Sequence, residues 1–333
     1  MKHLIVVGAC YLDTILENVS LTTRTYHILT YRHLNIRRGG NCPNSLEVLQ
    51  QMLSEREALQ LHLVSPLPNA TSSATRRIVS SFGSRSKIDF SHCIYRDEST
   101  EAASSYIFRS EESGSRTLVN YNDLPEMTED EFGNIARSFE PDQETWWHFE
   151  GRIPDTVQNC IRLLRNVLPK ATISVEAEKP GREGLPELAA EADVVFYSRS
   201  WAESRGHETP EECLKAEGHH KASLALCTWG ADGAAGLSRS TGEILRCPAQ
   251  DESGGDISVV DDWSMGKKLG FAVQLATLKV QREGFDRLGE DMLGIATGTG
   301  TGYGMGKHDT LHKYGWRAWR SDFGARVRCW EIK

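Results

Sequence analysis

Nine residues carry the densest chemical information in the chain: Arg37-Arg38-Gly39-Gly40-Asn41-Cys42-Pro43-Asn44-Ser45. They run directly into an apolar-periodic stretch, Leu46, Val48, Leu49, Met52 and Leu53, which predicts an amphipathic helix over about 44–56. Gly39 and Gly40 let a backbone pass close to a bound molecule. The first N–H groups of a helix favour polar or anionic ligand groups. Asn41 and Asn44 each offer a donor and an acceptor, which suits a polyhydroxylated small molecule, whose hydroxyls do the same. A strand-to-helix turn whose Asn residues merely cap the helix is the plainer reading. Asp13 lies just past the first apolar run, Leu4-Ile5-Val6-Val7-Gly8, where ligand contacts gather in open α/β sheets; a turn Asp bonding its own backbone is the alternative.

The elements that must position these residues follow a regular pattern. The first strand, about 3–10, ends at Gly8, and residues 17–37 suit an exposed strand pair. A strand at 61–65 and a helix around 72–82 come next, then strands near 88–90, 103–108 and 117–121 with a hairpin turn, Glu112 to Arg116, whose Arg116 could reach an anion. From residue 146, strands (146–152, 172–176, 193–198, 223–228) alternate with helices (156–167, 185–192, 210–216). Strand, polar loop and helix repeating about every 30 residues predict a parallel sheet with helices on both faces.

Composition bounds the rest. The 333 residues are 39% hydrophobic, enough for a large core, and a net charge of −8 argues against a nucleic-acid surface. No apolar run approaches a membrane span or a signal peptide, so the chain is expected to be cytoplasmic, with no membrane partner. The eight cysteines form no C-x-x-C pair, and no Cys/His cluster has zinc spacing; no metal ligand set is expected.

Together these stretches resemble the ribokinase-like (PfkB) carbohydrate kinases, and within them the ketohexokinase branch, the fructose kinases. The matching segments are Val7-Gly8 with Leu12-Asp13, Arg38 to Ser45, Ser113 to Thr117, His148 to Arg152, Val175 to Pro180, Asp193 to Ser198 and Thr228 to Ala234. They keep the family's order and spacing from residue 4 to 261. The resemblance implies an α/β fold, a doubly wound mostly parallel sheet flanked by helices, with a small β lid. The kinase domain would span 1–290, with lid strands at about 14–38 and 100–121, and 291–333 would be an irregular tail. It implies phosphoryl transfer from Mg-ATP to a sugar hydroxyl, with Mg2+ and ATP as cofactor and co-substrate. Asp13, Gly39, Gly40, Asn41 and Asn44 would hold the sugar. Arg116, Glu150 and Arg152 would lie near the phosphates, and Trp229, Gly230 and Gly233 would form part of the nucleotide wall. A homodimer through the lid strands is implied as well.

The pattern breaks in three places. The family's Thr-x-Gly-Ala-Gly-Asp-Thr-Phe turn supplies the amide cradle and the catalytic Asp. Here the chain reads Asp261-Asp262-Trp263-Ser264-Met265-Gly266 and passes straight into Leu269 to Ala276, which resembles the family's following helix. About 20 residues, one turn and one helix, are missing. Ser253-Gly254-Gly255-Asp256 precedes the strand, at the wrong end of the sheet; Asp261 and Asp262 are weak substitutes for the catalytic acid. Thr22 to Asn35 also lacks the branch's acidic lid stretch. In the tail, Gly298 to Lys307 is glycine-rich but has Thr301 and His308 where a phosphate loop needs Gly and Ser/Thr. The expectation is a carbohydrate kinase with impaired turnover, or a non-catalytic sugar- and nucleotide-binding relative.

Overall fold

The computed structural model describes residues 1–19, 33–53, 58–110, 116–218, 221–249, 264–280 and 284–296. Fifteen strands and nine α-helices lie within them. β1 (Lys2–Val7) is the hub of a nine-stranded sheet. On one side of it run β4 (Leu59–Val64) and the two-residue β6 (Ile88–Asp89). On the other run β10 (Glu144–Glu150), β11 (Thr172–Ala177), β12 (Val194–Tyr197) and β13 (Leu224–Thr228), then β14 (Ala234–Ser238) and β15 (Glu243–Cys247). Every pairing from β6 to β13 is parallel; the β14 and β15 pairings are antiparallel. The α/β doubly wound fold is therefore as expected.

A second sheet has the order β3-β2-β8-β9, built from β2 (Tyr11–Val19), β3 (His33–Gly39), β8 (Ser104–Ser110) and β9 (Arg116–Tyr121). Short β5 (Pro66–Pro68) and β7 (Ile94–Arg96) pair with each other. Register divides the second sheet into two faces: Asp13, Arg37, Ser105 and Asn120 share one, while Leu34, Tyr106, Val119 and Tyr121 share the other. The last four are exposed.

Alternation along each central strand splits the core into two layers. Ile5, Val7 and Val64 face a layer completed by α3 (Glu129–Ala136), α4 (Pro154–Val167), α5 (Leu185–Ala190), α6 (Arg199–Ser204) and α7 (Pro210–Ala216). Leu4, Val6, Leu61 and Leu63 face the other, covered by α1 (Asn41–Met52), α2 (Ser73–Ser80), α8 (Met265–Val280) and α9 (Leu288–Ala296). Strands buried on both faces read as continuous apolar runs, which is why they stand out in the sequence.

α3, α6 and the β14–β15 hairpin go beyond the sequence expectation, and α9 corrects it. The irregular tail was expected from 291, yet the helix runs on to Ala296 with Met292 fully buried. α9 docks on α1, where Gln51 accepts from the Gly289 amide at 2.9 Å and donates to the Phe285 carbonyl at 2.9 Å. Ser253 to Asp256, Asp261, Asp262 and the glycine-rich run from 298 lie outside the described residues, as do Glu112 to Ser115 of the expected hairpin turn.

Candidate ligand site at the carboxyl edge of the sheet

The chain leaves β1 for β4 on one side and later returns to β10 on the other, so the strand order reverses at the β1/β10 pair. Crevices at such a reversal, outside the carboxyl ends of the strands, are where open α/β sheets bind ligands. Gly8 and Ala9 follow β1 there, and Glu150 closes β10. The Ala9 amide donates to Glu150 Oε2 at 2.9 Å, a bond that spans the reversal point. A Cβ on Gly8 would stand 2.4 Å from Cys42 Sγ and 2.8 Å from Glu150 Oε2, so only glycine lets these side chains close over the strand end. Burial pushes the Glu150 carboxyl above the ordinary carboxylate range, while the Ala9 N–H pulls it down.

β3 delivers Gly39 and Gly40 to the same place. Gly40 has φ +107°, and a Cβ on it would meet the Ala9 carbonyl oxygen at 2.3 Å. Glycine is required on both counts. Gly39 serves differently: the Asp13 carboxylate lies across its bare Cα, with Oδ2 2.2 Å from where a Cβ would be. Asp13 and Gly39 thus form one unit at the junction of the two sheets.

Gly40 is the N-cap of α1 and no side chain caps the helix, so the two Asn residues do not serve as caps. Asn41 instead reaches the next strands: its Nδ2 donates to Glu176 Oε1 at 2.8 Å and to Glu178 Oε2 at 3.0 Å. An amide nitrogen has two protons, and both are engaged. What Asn41 has to offer a hydroxyl is its carbonyl oxygen, an acceptor only. Asn44 is drawn elsewhere. Its Oδ1 accepts from Arg38 at 2.8 Å, and Arg38, buried with its guanidinium 4.2 Å from the Phe82 ring centre, also pairs with Glu47 and donates to Ser81 at 3.0 Å. The structure therefore brings Asp13, Gly39, Gly40, Asn41 and Glu150 together and commits Asn44 to an ion-pair network that anchors α1.

The remaining candidates are more scattered. Arg152 is bound to the Tyr11 hydroxyl and the Glu126 carboxylate. Arg116 opens β9 opposite Arg109. Trp229 is buried in the core beneath the Arg199 guanidinium, 5.4 Å from its ring centre. Gly230 turns with φ +59°, and Gly233 lets its backbone approach the Cys247 carbonyl, 2.0 Å from a would-be Cβ. All three follow β13, on the same edge of the sheet.

Glu176 and Glu178 were not singled out as site residues. The signal was there: Glu176 is a buried acid inside the apolar strand Thr172–Ala177, a placement acids rarely take without a partner. The Glu178 carbonyl accepts from Ser198 at 2.5 Å and Ser200 at 3.2 Å, and Arg182 donates to the Gly151 carbonyl at 2.5 Å, so this rim is braced from several strands.

No protein-family model matches the chain. Solved structures do. It is similar to the ribokinase of Arabidopsis thaliana complexed with ribose and ATP, at 14% identity over 88% of this chain and 91% of that one, with a TM-score of 0.59. The Giardia lamblia ribokinase gives 14%, 89% of each chain and 0.58. Escherichia coli phosphofructokinase-2 in complex with fructose-6-phosphate gives 14%, 89% and 93%, and 0.57. The chain has the ribokinase fold. At these identities the likeness concerns architecture alone, and the side chains must argue for themselves.

Proposed function

We propose that this chain is a ribokinase-type carbohydrate kinase by design, binding a sugar and Mg-ATP, with phosphoryl transfer impaired. The observation that carries the reading is the Asp13–Gly39–Gly40–Asn41 unit at the strand-order reversal. Asp13 would accept from sugar hydroxyls and the Asn41 oxygen would accept from another. A ketose such as fructose is the substrate class suggested by the ketohexokinase-like motifs.

The acids at the rim fit Mg2+. It takes hard oxygen ligands, commonly one or two carboxylates, and completes its shell with water and nucleotide phosphates. Glu176 and Glu178, converging on one amide, are such a donor set. When bound with ATP, the ion would neutralise phosphate charge. Arg116, and the Trp229 to Gly233 turn beyond β13, would take the nucleotide side. Transfer of this kind rests on positioning and charge stabilisation. The sequence after Val260 supplies no glycine-rich amide cradle, leaving Asp261 or Asp262 as the acid available to receive the hydroxyl proton.

Calorimetric titration with fructose and with Mg-ATP, run beside an ADP-release assay, tests the reading. Binding of both with turnover far below that of a chain given a Gly-Ala-Gly-Asp turn and helix after Asp261 is the expected result. Absence of sugar binding overturns it. Binding without any turnover, even after that insertion, favours the non-catalytic alternative. A second copy docking through the lid is part of the proposal, because Leu34, Tyr106, Val119 and Tyr121 expose apolar surface on one sheet face.

A further inference from the structure

A separate group of side chains sits on β4 and β6, at one edge of the sheet. His62 pairs in register with Asp89 across the β4–β6 ladder, and with Ile5 on its other side, two residues before β1 ends. His92 folds back from the turn after β6. One ligand atom from each of His62, Asp89 and His92 lies within 4.8 Å of the others.

Three details point to a metal ion here. His62 is 4% exposed, yet its Nδ1 has no hydrogen-bond partner, an uncommon state for a buried polar atom. That Nδ1 stands 3.4 Å from Asp89 Oδ2. Two ligands about 2.0–2.1 Å from a tetrahedral zinc ion are about 3.3–3.4 Å apart, so the separation suits a shared ion. The outer contacts are those of a prepared site. His62 Nε2 lies 3.0 Å from His3 Nδ1, and a proton on Nε2 leaves the Nδ1 lone pair facing the cluster. Asp89 Oδ1 accepts from the Ser91 amide at 2.8 Å, which leaves Oδ2 for the site. Phe139 packs against the His3, His62 and His92 rings and gives the site an apolar wall.

We propose that His62, Asp89 and His92 bind a zinc-class divalent ion, with water in a fourth position and His3 orienting His62. Nitrogen and carboxylate donors favour zinc over magnesium or calcium. The ion would tie β4, β6 and the following turn into one unit, apart from the sugar cleft. The sequence hides the set because Asp89 stands 27 residues after His62, with no cysteine in it.

Full-length protein stripped with EDTA and titrated with Co2+ tests this. One equivalent should give the intense visible bands of a tetrahedral nitrogen–oxygen site, and Zn2+ should displace it and raise the melting temperature. His92→Ala and Asp89→Ala, both at partly exposed positions, should weaken Co2+ binding by at least about 100-fold. His3→Ala should keep the band positions and lose about 10–100-fold in affinity. Circular dichroism of the metal-free variants checks that they fold. Absence of stoichiometric binding, a thiolate-to-cobalt charge-transfer band, or affinity unchanged in folded His92→Ala would overturn the proposal.

Discussion

Replacing Gly39 by alanine should separate the stability of the fold from its capacity to hold a sugar. The new Cβ would stand 2.2 Å from Asp13 Oδ2, 2.7 Å from Cγ and 3.0 Å from Oδ1. Ordinary carbon–oxygen contact needs about 1 Å more than the closest of these. Gly39 does not have positive φ, so alanine suits the backbone, and the Asp13 side chain is what gives way. Overpacking of this kind costs about 1–3 kcal/mol, and the displaced carboxylate would lose the proposed charge-assisted bond to a sugar hydroxyl, worth about 1.5–3 kcal/mol. Sugar affinity should therefore fall about 10- to 150-fold in a protein that still melts cooperatively. Calorimetric titration of wild type, Gly39→Ala, Asp13→Ala and the double variant is the assay. The double variant should bind no worse than Asp13→Ala alone, because both changes remove the same contact. Additive losses, or undiminished affinity in Gly39→Ala, would refute the claim that this glycine exists to seat Asp13.

Gly40→Ala should behave oppositely, costing about 3 kcal/mol or more in urea unfolding, since its φ of +107° and the Ala9 carbonyl 2.3 Å away leave no side chain to move aside. Arg38→Ala leaves Glu47 and Asn44 without their buried partner and should cost about 3–5 kcal/mol by the same measurement. Glu150 has a raised pKa in the fold, so the folded state keeps its proton where the unfolded chain has lost it; from neutral pH down to about pH 5 this group adds stability, and Glu150→Gln should remove that gain. Among the described cysteines only Cys247 is part-exposed, so peptide mapping after brief native alkylation should find Cys247 modified and Cys10, Cys42, Cys93, Cys160, Cys213 and Cys227 protected.

The parallel strands were legible because burial on both faces writes an uninterrupted apolar run, as in Leu4-Ile5-Val6-Val7 and Val194-Val195-Phe196-Tyr197. The helix at Pro210–Ala216 was legible from its Thr209 cap and N-terminal Pro. α3 carries an equally readable capping box, Thr128 with Glu131. Short α6, six residues capped by Ser198, has too little length to show a period. In the site, Gly39-Gly40-Asn41 announced itself by type and spacing. The partners of that turn did not, because Asn41 meets Glu176 and Glu178 across more than 130 residues of chain. For the same reason Asn44 read as a sugar ligand; only the fold shows Arg38 claiming its oxygen.

The clasp between Gln51 and the Phe285–Gly289 turn has a consequence for biogenesis. The helix that begins at the Gly39-Gly40 turn keeps one flank uncovered until a segment more than 230 residues downstream arrives to shield it. A nascent chain therefore carries an apolar stripe through most of its synthesis, and ribosome-bound fragments ending before residue 284 should recruit holding chaperones that the released chain sheds.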